Sequence, residues 1–330
     1  MKNSITDVPG IRVGHIENLE GATGCTVILC EDGAIAGVDV RGGAPGVREI
    51  ATLDPVNFVD TVHAIYLGGG SAYGLDGASG VMQYLEEQGK GLDVGVGIVP
   101  IVPGAVLFDL PVKRHDIRPD KAMGYAACLD AAGTDYESEI RMGNVGAGTG
   151  ATIGKPAGPA YIMKGGLGTA SRKLGDLIIG AIVAVNCFGD IIDPSTGKII
   201  AGALNESKDG FPGSLNVISK TPAEEPSVLK SNTTIGAIAT NGKFTKPQMT
   251  KIAQMAHDGF ARTINPIHTM YDGDTIFALS TGEVTADVTT LGAVAAEVMA
   301  EAVLNGIKAA ESAFGIPGYK EIKEKIKEKK

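Results

Sequence analysis

Glycine is the residue that most restricts what this chain can become. It accounts for 47 of 330 residues, about twice the usual ~7%. The glycines fall between apolar runs and not in one tract, which points to many tight turns and to closely packed layers. The runs they separate are short and β-like, at 26–29, 34–40, 64–67, 94–99, 178–185, 234–239 and 275–279. Four helical stretches lie among them. In the first, after Ser71, residues Leu75, Ala78, Ser79, Met82 and Leu85 keep helical spacing until Glu86-Glu87-Gln88-Gly89 ends it. Residues 121–132 form an Ala-rich second. The third opens on Thr245 as cap with Pro247 in its first turn, and Ile252, Ala253, Ala256 and Phe260 share one face. The fourth, 289–310, carries a stripe from Leu291 to Ile307 wide enough to cover a sheet. Strands and helices mix without strict alternation, so the expectation is an α/β chain of stacked antiparallel or mixed sheets covered by helices.

Composition narrows the function. Apolar residues make up 44%, charged residues 20%, and mean hydropathy is +0.12, values of a globular chain with a substantial core. Aromatics are scarce at 5% with no Trp, which argues against stacking on bases or sugars. A net charge of −9 argues against nucleic acid or an anionic membrane as partner. The alternating Lys/Glu tail at 320–330 reads as a solvated helix end. The first residues lack the apolar core of a signal peptide, and no apolar run approaches the ~20 residues of a membrane span. The expected location is cytoplasmic. Cys25, Cys30, Cys128 and Cys187 form no CxxC pair and read as reduced, buried thiols. Residues 191–230, with turn signals at 193–198 and 208–213 and a loop-like 221–227, form the longest excursion.

The chemistry-bearing stretch is Ser231-Asn232-Thr233-Thr234-Ile235-Gly236-Ala237-Ile238-Ala239-Thr240, read with Asp272-Gly273-Asp274. Inside a chain, Thr233 is a weak nucleophile. Cutting the Asn232–Thr233 bond gives it a free α-amine, of pKa near ~8, beside its own hydroxyl. Nucleophile and base then belong to one residue. The plainer alternative is a turn leading into a core strand. Asp272 and Asp274 flank a glycine directly before a strand, so by period 2 they point to one side and share a site. A simple turn or a divalent-metal site would use the same residues. Asn186 ends an apolar strand, where a side-chain amide suits an oxyanion, though a turn residue also fits. Lys155, after the glycine-rich 146–154, would bring a cation near the carbonyl or the aspartates; a loop lysine is ordinarily solvated. His15, His63, His115, His257 and His268 show no metal-ligand spacing; His268 either lines the pocket or packs as a hydrogen-bonded side chain. Gly68-Gly69-Gly70-Ser71, between a strand and a helix, has the look of a phosphate cradle; the glycines of 146–150 resemble part of a P-loop, but Gly154-Lys155 is followed by Pro156 and not by Ser or Thr, which removes the P-loop reading.

Several segments, in order from about residue 3 to residue 315, resemble the L-aminopeptidase/D-esterase family. They are Ile5-Thr6-Asp7-Val8-Pro9-Gly10-Ile11-Arg12-Val13-Gly14-His15, Arg41-Gly42-Gly43-Ala44-Pro45-Gly46, Gly68-Gly69-Gly70-Ser71-Ala72-Tyr73-Gly74-Leu75, Gly143-Asn144-Val145-Gly146-Ala147-Gly148-Thr149-Gly150, Lys164-Gly165-Gly166-Leu167-Gly168-Thr169-Ala170-Ser171 and Ala278-Leu279-Ser280-Thr281-Gly282. Thr233 with Asp-Gly-Asp is most similar to the branch of nylon-oligomer hydrolases; the aminopeptidase branch has a Ser nucleophile and a Ser-Gly-acid element instead. The resemblance implies an α-β-β-α sandwich akin to, but topologically distinct from, the amidohydrolases with N-terminal nucleophiles, and a homo-oligomer of tetramer type. It implies that Thr233 is the nucleophile, Asp272 and Asp274 its orienting pair, Asn186 an oxyanion donor and Lys155 a catalytic cation. The Tyr oxyanion donor of the aminopeptidase branch has no evident counterpart.

The reading that follows is one catalytic domain, 1–330, cut by itself at Asn232–Thr233 into chains 1–232 and 233–330. It hydrolyses small amides, either aminopeptidase-type or ω-amino-acid oligomers, with no cofactor or metal. The alternatives are an acyltransferase like the ornithine acetyltransferases, and a ligand-binding member without activity.

Overall fold

The structure, a computed structural model, describes residues 1–133, 139–220 and 232–329. The loop-like 221–227 and Ser231 of the motif lie outside the described residues.

One long strand organises the molecule. Strand β2 (Thr23–Val40) pairs through its first part with β1 (Arg12–Asn18) and β3 (Thr61–Gly68), and through 35–40 with β8 (Thr275–Val284). A register irregularity between Leu29 and Ala34 separates the two parts. On one side the sheet continues from β8 to β7 (Thr233–Gly242), β6 (Leu177–Asn186) and β5 (Gly166–Leu174); on the other, β3 is followed by β4 (Gly104–Val106) and then by 46–48. The β7–β8 and β3–β4 pairs are parallel and the other pairs antiparallel.

Side-chain alternation turns this connected sheet into layers. On β6, Ala181, Val183 and Val185 face α4 (Lys246–Thr263) and α5 (Val288–Ala309), while Ile182 and Ala184 face an inner core. Ile235, Ala237, Phe277 and Leu279 enter the same inner core, where they meet Ile28, Ile65 and Leu67 from the other half of the sheet. Beyond that half, Cys25, Val27, Leu29, Ala64 and Tyr66 pack on α1 (Gly77–Glu87) and α2 (Lys121–Gly133). The order is helix, sheet, sheet, helix: the α-β-β-α sandwich.

The glycines let these layers approach. A Cβ built on Gly14 would lie 2.1 Å from the Ala127 carbonyl of α2, and one on Gly168 2.1 Å from the Ala302 carbonyl of α5. No side chain fits at either place. Thr245 caps α4 in a capping box with Gln248, as the sequence suggests.

Some expectations change. Residues 94–99 are not one strand: 94–97 form the tip of a hairpin between Leu92–Asp93 and Ile98–Val99, with Gly95 in the left-handed region and Val96 almost fully exposed. The alternation of Val and Gly there is turn punctuation and not a half-buried face. The excursion after 190 contains a hairpin, Asp190–Asp193 with Lys198–Ala201, and the short helix α3 (Ser214–Ile218). The charged tail forms α6 (Tyr319–Glu328). Helix α5 is long and apolar enough, by length and composition alone, to cross a membrane, contrary to the reading of the sequence. Here it packs on β5, β6 and α4 as a core helix. All four cysteines are free and buried, with Cys25 and Cys30 on opposite faces of β2.

Candidate active site

Topology brings the motif residues to one edge of the sheet. Strands β7 and β8 are parallel, so Thr233 and Thr275 begin at the same end; β6 is antiparallel to β7, so Asn186 finishes there. Asn186 and Thr233 are direct cross-strand partners, whose side chains share a face. Asp272-Gly273-Asp274 is the loop entering β8, beside the start of β7.

Asn232 and Thr233 are buried, and the Thr233 hydroxyl lies against the Asn232 carbonyl oxygen. The strand entrance is pinned from both sides of this bond. The Asn232 N–H donates to the Tyr271 carbonyl (2.9 Å) and the Thr234 N–H donates to Asp274 Oδ1 (2.7 Å). Asp274 Oδ2 accepts from His268 Nδ1 (2.9 Å) and from the His268 N–H (3.1 Å). Asp272 Oδ2 accepts from the Thr269 N–H (2.8 Å) and hydroxyl (2.6 Å), while its Oδ1 is buried with no hydrogen-bond partner among the described residues. Burial, reinforced by the charge of Asp274, pushes the Asp272 carboxyl up to about 6.

The segment 41–46 wraps this acidic loop. The Arg41 N–H donates to the Asp274 carbonyl (3.0 Å) and the Ala44 N–H to the Asp272 carbonyl (2.8 Å). A Cβ on Gly42 would lie 2.3 Å from the Asp272 carbonyl oxygen. Gly273 is just as constrained: a Cβ there would sit 2.8 Å from Thr233 Oγ1 and 2.9 Å from the Ala44 carbonyl.

Asn186 and Lys155 form the facing wall. Asn186 Oδ1 accepts from the Thr152 N–H (2.9 Å) and from Lys155 Nζ (3.0 Å), and Nδ2 donates to the Phe108 carbonyl (3.1 Å). Because Oδ1 faces donors and Nδ2 faces a carbonyl, the carboxamide has one sensible orientation. One of its two N–H groups is engaged by Phe108; the second has no partner among the described residues. Lys155 is buried and not solvated, with Nζ also donating to the Asn186 carbonyl (3.0 Å). Burial pulls its ammonium down to about 8, against the opposing charges of Asp272 and Asp109. A pocket of about 120 Å³ beside Thr233 is lined by Ala44, Pro45, Ser71, Phe108 and Asn232. A cleft of about 260 Å³, with Lys155, Phe108, Val112, Ile162, Phe314 and Ile316 among its walls, adjoins it through Phe108.

All six residues singled out in the sequence therefore meet here. Three contributors were not singled out: Thr269, Phe108 and Thr152. Thr269 carried a signal, since Thr-x-x-Asp is a turn pattern; the others depend on contacts between distant segments. His268 was open between two readings and is hydrogen-bonded to Asp274, in a left-handed backbone (φ 59°). The Gly68–Gly70 turn is no phosphate cradle, because a carboxylate already takes its amide: the Gly70 N–H donates to Asp109 Oδ1 (2.7 Å).

The sandwich with this polar edge is the architecture of the aminopeptidases that vary the Ntn-hydrolase fold. A solved L-aminopeptidase D-Ala-esterase/amidase of Ochrobactrum anthropi superposes with a TM-score of 0.69 at 20% identity, over 99% of this chain and 94% of that one. A Pyrococcus horikoshii protein superposes at 0.73 and 22%, with the same coverage. The chain belongs to peptidase family S58, whose model matches residues 3–321, and it is a hydrolase. It is 43% identical to an uncharacterized aminopeptidase of Mycobacterium leprae over 96% of this chain and 93% of the relative. It is 35% identical to a 6-aminohexanoate-oligomer endohydrolase of Kocuria sp. over 92% of this chain and 85% of the relative.

Proposed function

We propose that the chain is a precursor that cuts itself between Asn232 and Thr233, and that the freed Thr233 hydrolyses small amides through an acyl-enzyme. The observation that carries this reading is the Thr233 hydroxyl held at the carbonyl of its own preceding residue, between the two backbone anchors at Tyr271 and Asp274. In self-cleavage, Thr233 Oγ1 attacks the Asn232 carbonyl carbon and gives its proton to a neighbouring carboxylate. The C–N bond then breaks as the nitrogen takes a proton, leaving an ester on Oγ1. Water hydrolyses that ester, giving the Asn232 carboxylate and the free Thr233 amine.

The same hydroxyl then attacks a substrate carbonyl, with the new amine as base. The free N–H of Asn186 stabilises the oxyanion, and Lys155 polarises Asn186 through its Oδ1. The amine leaves, and water releases the acyl group. The cleft walls beside Lys155 are mostly apolar and, among the described residues, include no carboxylate that would bind a free ammonium. This favours an uncharged methylene chain, at about 0.8 kcal/mol per CH₂ buried, over an amino-terminal residue. It agrees with likeness to the 6-aminohexanoate-oligomer endohydrolase.

The test is a panel of 6-aminohexanoate oligomers, amino-acid p-nitroanilides and peptide amides, assayed with the cut enzyme and with Thr233→Ala. Turnover of the oligomers, lost in Thr233→Ala, is the expected result. Strong turnover of the p-nitroanilides alone would overturn the substrate assignment and leave the Thr233 chemistry standing.

A further inference from the structure

Two buried charged side chains, Asp109 and Lys164, have no part in the chemistry above. Asp109 Oδ2 accepts from the Thr23 hydroxyl (2.7 Å), and its Oδ1 from the Gly70 N–H (2.7 Å). Lys164 Nζ donates to the carbonyls of Thr149 (2.7 Å) and Ala151 (2.8 Å). Glycines clear the space around Asp109. A Cβ on Gly69 would lie 2.1 Å from Asp109 Oδ2, and one on Gly150 would lie 2.6 Å from Asp109 Cβ. Burial raises the Asp109 carboxyl and pulls Lys164 down to about 7, while each charge partly offsets the shift of the other. Burying two ionisable groups in this way is unfavourable for stability alone.

Each clamp ends one residue away from an atom that holds the Asn186 carboxamide. Asp109 follows Phe108, whose carbonyl accepts from Asn186 Nδ2. Ala151 precedes Thr152, whose N–H donates to Asn186 Oδ1; Thr152 is also the cross-strand partner of Lys164 in the ribbon of Thr152–Ile153 with Met163–Lys164. We propose that Asp109 and Lys164 are positioning residues that fix the two backbone groups setting the rotation of the Asn186 carboxamide, so that its free N–H meets the developing oxyanion. The proposal rests on the oxyanion role given to Asn186 above. It gives a purpose to glycine motifs that the reaction itself leaves unused: they make room for Asp109. An oxyanion donor works only when aimed in advance, since hydrogen bonds weaken steeply as they bend.

The experiment is a double-mutant cycle on the self-cleaved enzyme, using whichever amide of the panel is turned over fastest. Lys164→Met, which keeps the chain length and removes the donors, is measured alone and combined with Asn186→Ala. Asp109→Asn is run in the same way, as an independent arm should either variant fold poorly. Rates are normalised to folded protein by thermal melts. Asn186→Ala is expected to lower kcat by about 10²-fold. Lys164→Met is expected to lower kcat about tenfold, with KM nearly unchanged, and to have almost no further effect once Asn186 is Ala. Losses that multiply in the double variants would overturn the positioning role and leave Asn186 as donor. An unchanged kcat in Asn186→Ala alone would remove the oxyanion role, and this proposal with it.

Discussion

Gly273 has no side chain, yet it governs how closely the acidic loop can approach the Thr233 hydroxyl. A Cβ there would press on Thr233 Oγ1 and on the Ala44 carbonyl. Gly273→Ala is expected to cost about 1–3 kcal/mol in a thermal melt and to slow self-cleavage by at least about tenfold, because a small misplacement of reacting groups is expensive in rate. A second expectation follows from Asp272. Its carboxyl is protonated below about 6 in the folded chain, against 3.8 in the reference state. Self-cleavage should therefore speed up as pH rises through about 6, when Asp272 becomes able to take a proton. Folding stability should move the other way. The contribution of Asp272 is full below 3.8 and is lost as pH rises through about 6, because the folded state binds the extra proton in that window. Asp272→Asn should abolish the kinetic limb and keep the stability; rate and melt profiles between pH 4 and 8 check both. At this scale the sequence was readable where chemistry is contiguous. Asn232-Thr233 and Asp272-Gly273-Asp274 stand out by type and spacing, whereas Phe108 serves through its carbonyl alone, which no side-chain pattern reveals.

At the scale of elements, the site exists because a parallel pair and an antiparallel neighbour end together. Apolar alternation marks β6, β7 and β8 in the sequence, but not that Asn186 lies opposite Thr233, since register is fixed by the two cores on either side of these strands. Strands β1 and β5 escaped notice. In β1, His15, Glu17 and Asn18 blur the alternation, and in β5 the glycines of 166–168 replace side chains that would have marked a face. Those glycines are where α5 comes closest. Gly168→Ala is expected to destabilise the fold by about 1–3 kcal/mol, since its Cβ would meet the Ala302 carbonyl at 2.1 Å. Cleavage per folded molecule should remain within about twofold, because Gly168 pairs with Val183 of β6 and not with Asn186 at the strand end that carries the site. A chemical melt beside a cleavage assay separates the two.

At the scale of the whole molecule, the layer order was legible through the resemblance and only loosely through periodicity. Composition says that layers pack closely; it does not say that one 18-residue strand, β2, carries the sheet from one layer into the other. The account as a whole depends on one event at one bond. Intact mass spectrometry of the freshly purified chain and of the chain after incubation, with N-terminal sequencing of the products, measures it directly. The account predicts conversion to fragments 1–232 and 233–330, the second beginning with Thr233, appearance of amide hydrolysis in step with cleavage, and a Thr233→Ala chain that stays whole and inactive. A chain that remains uncut while hydrolysing amides at full rate, or a new N-terminus at any other residue, would contradict it.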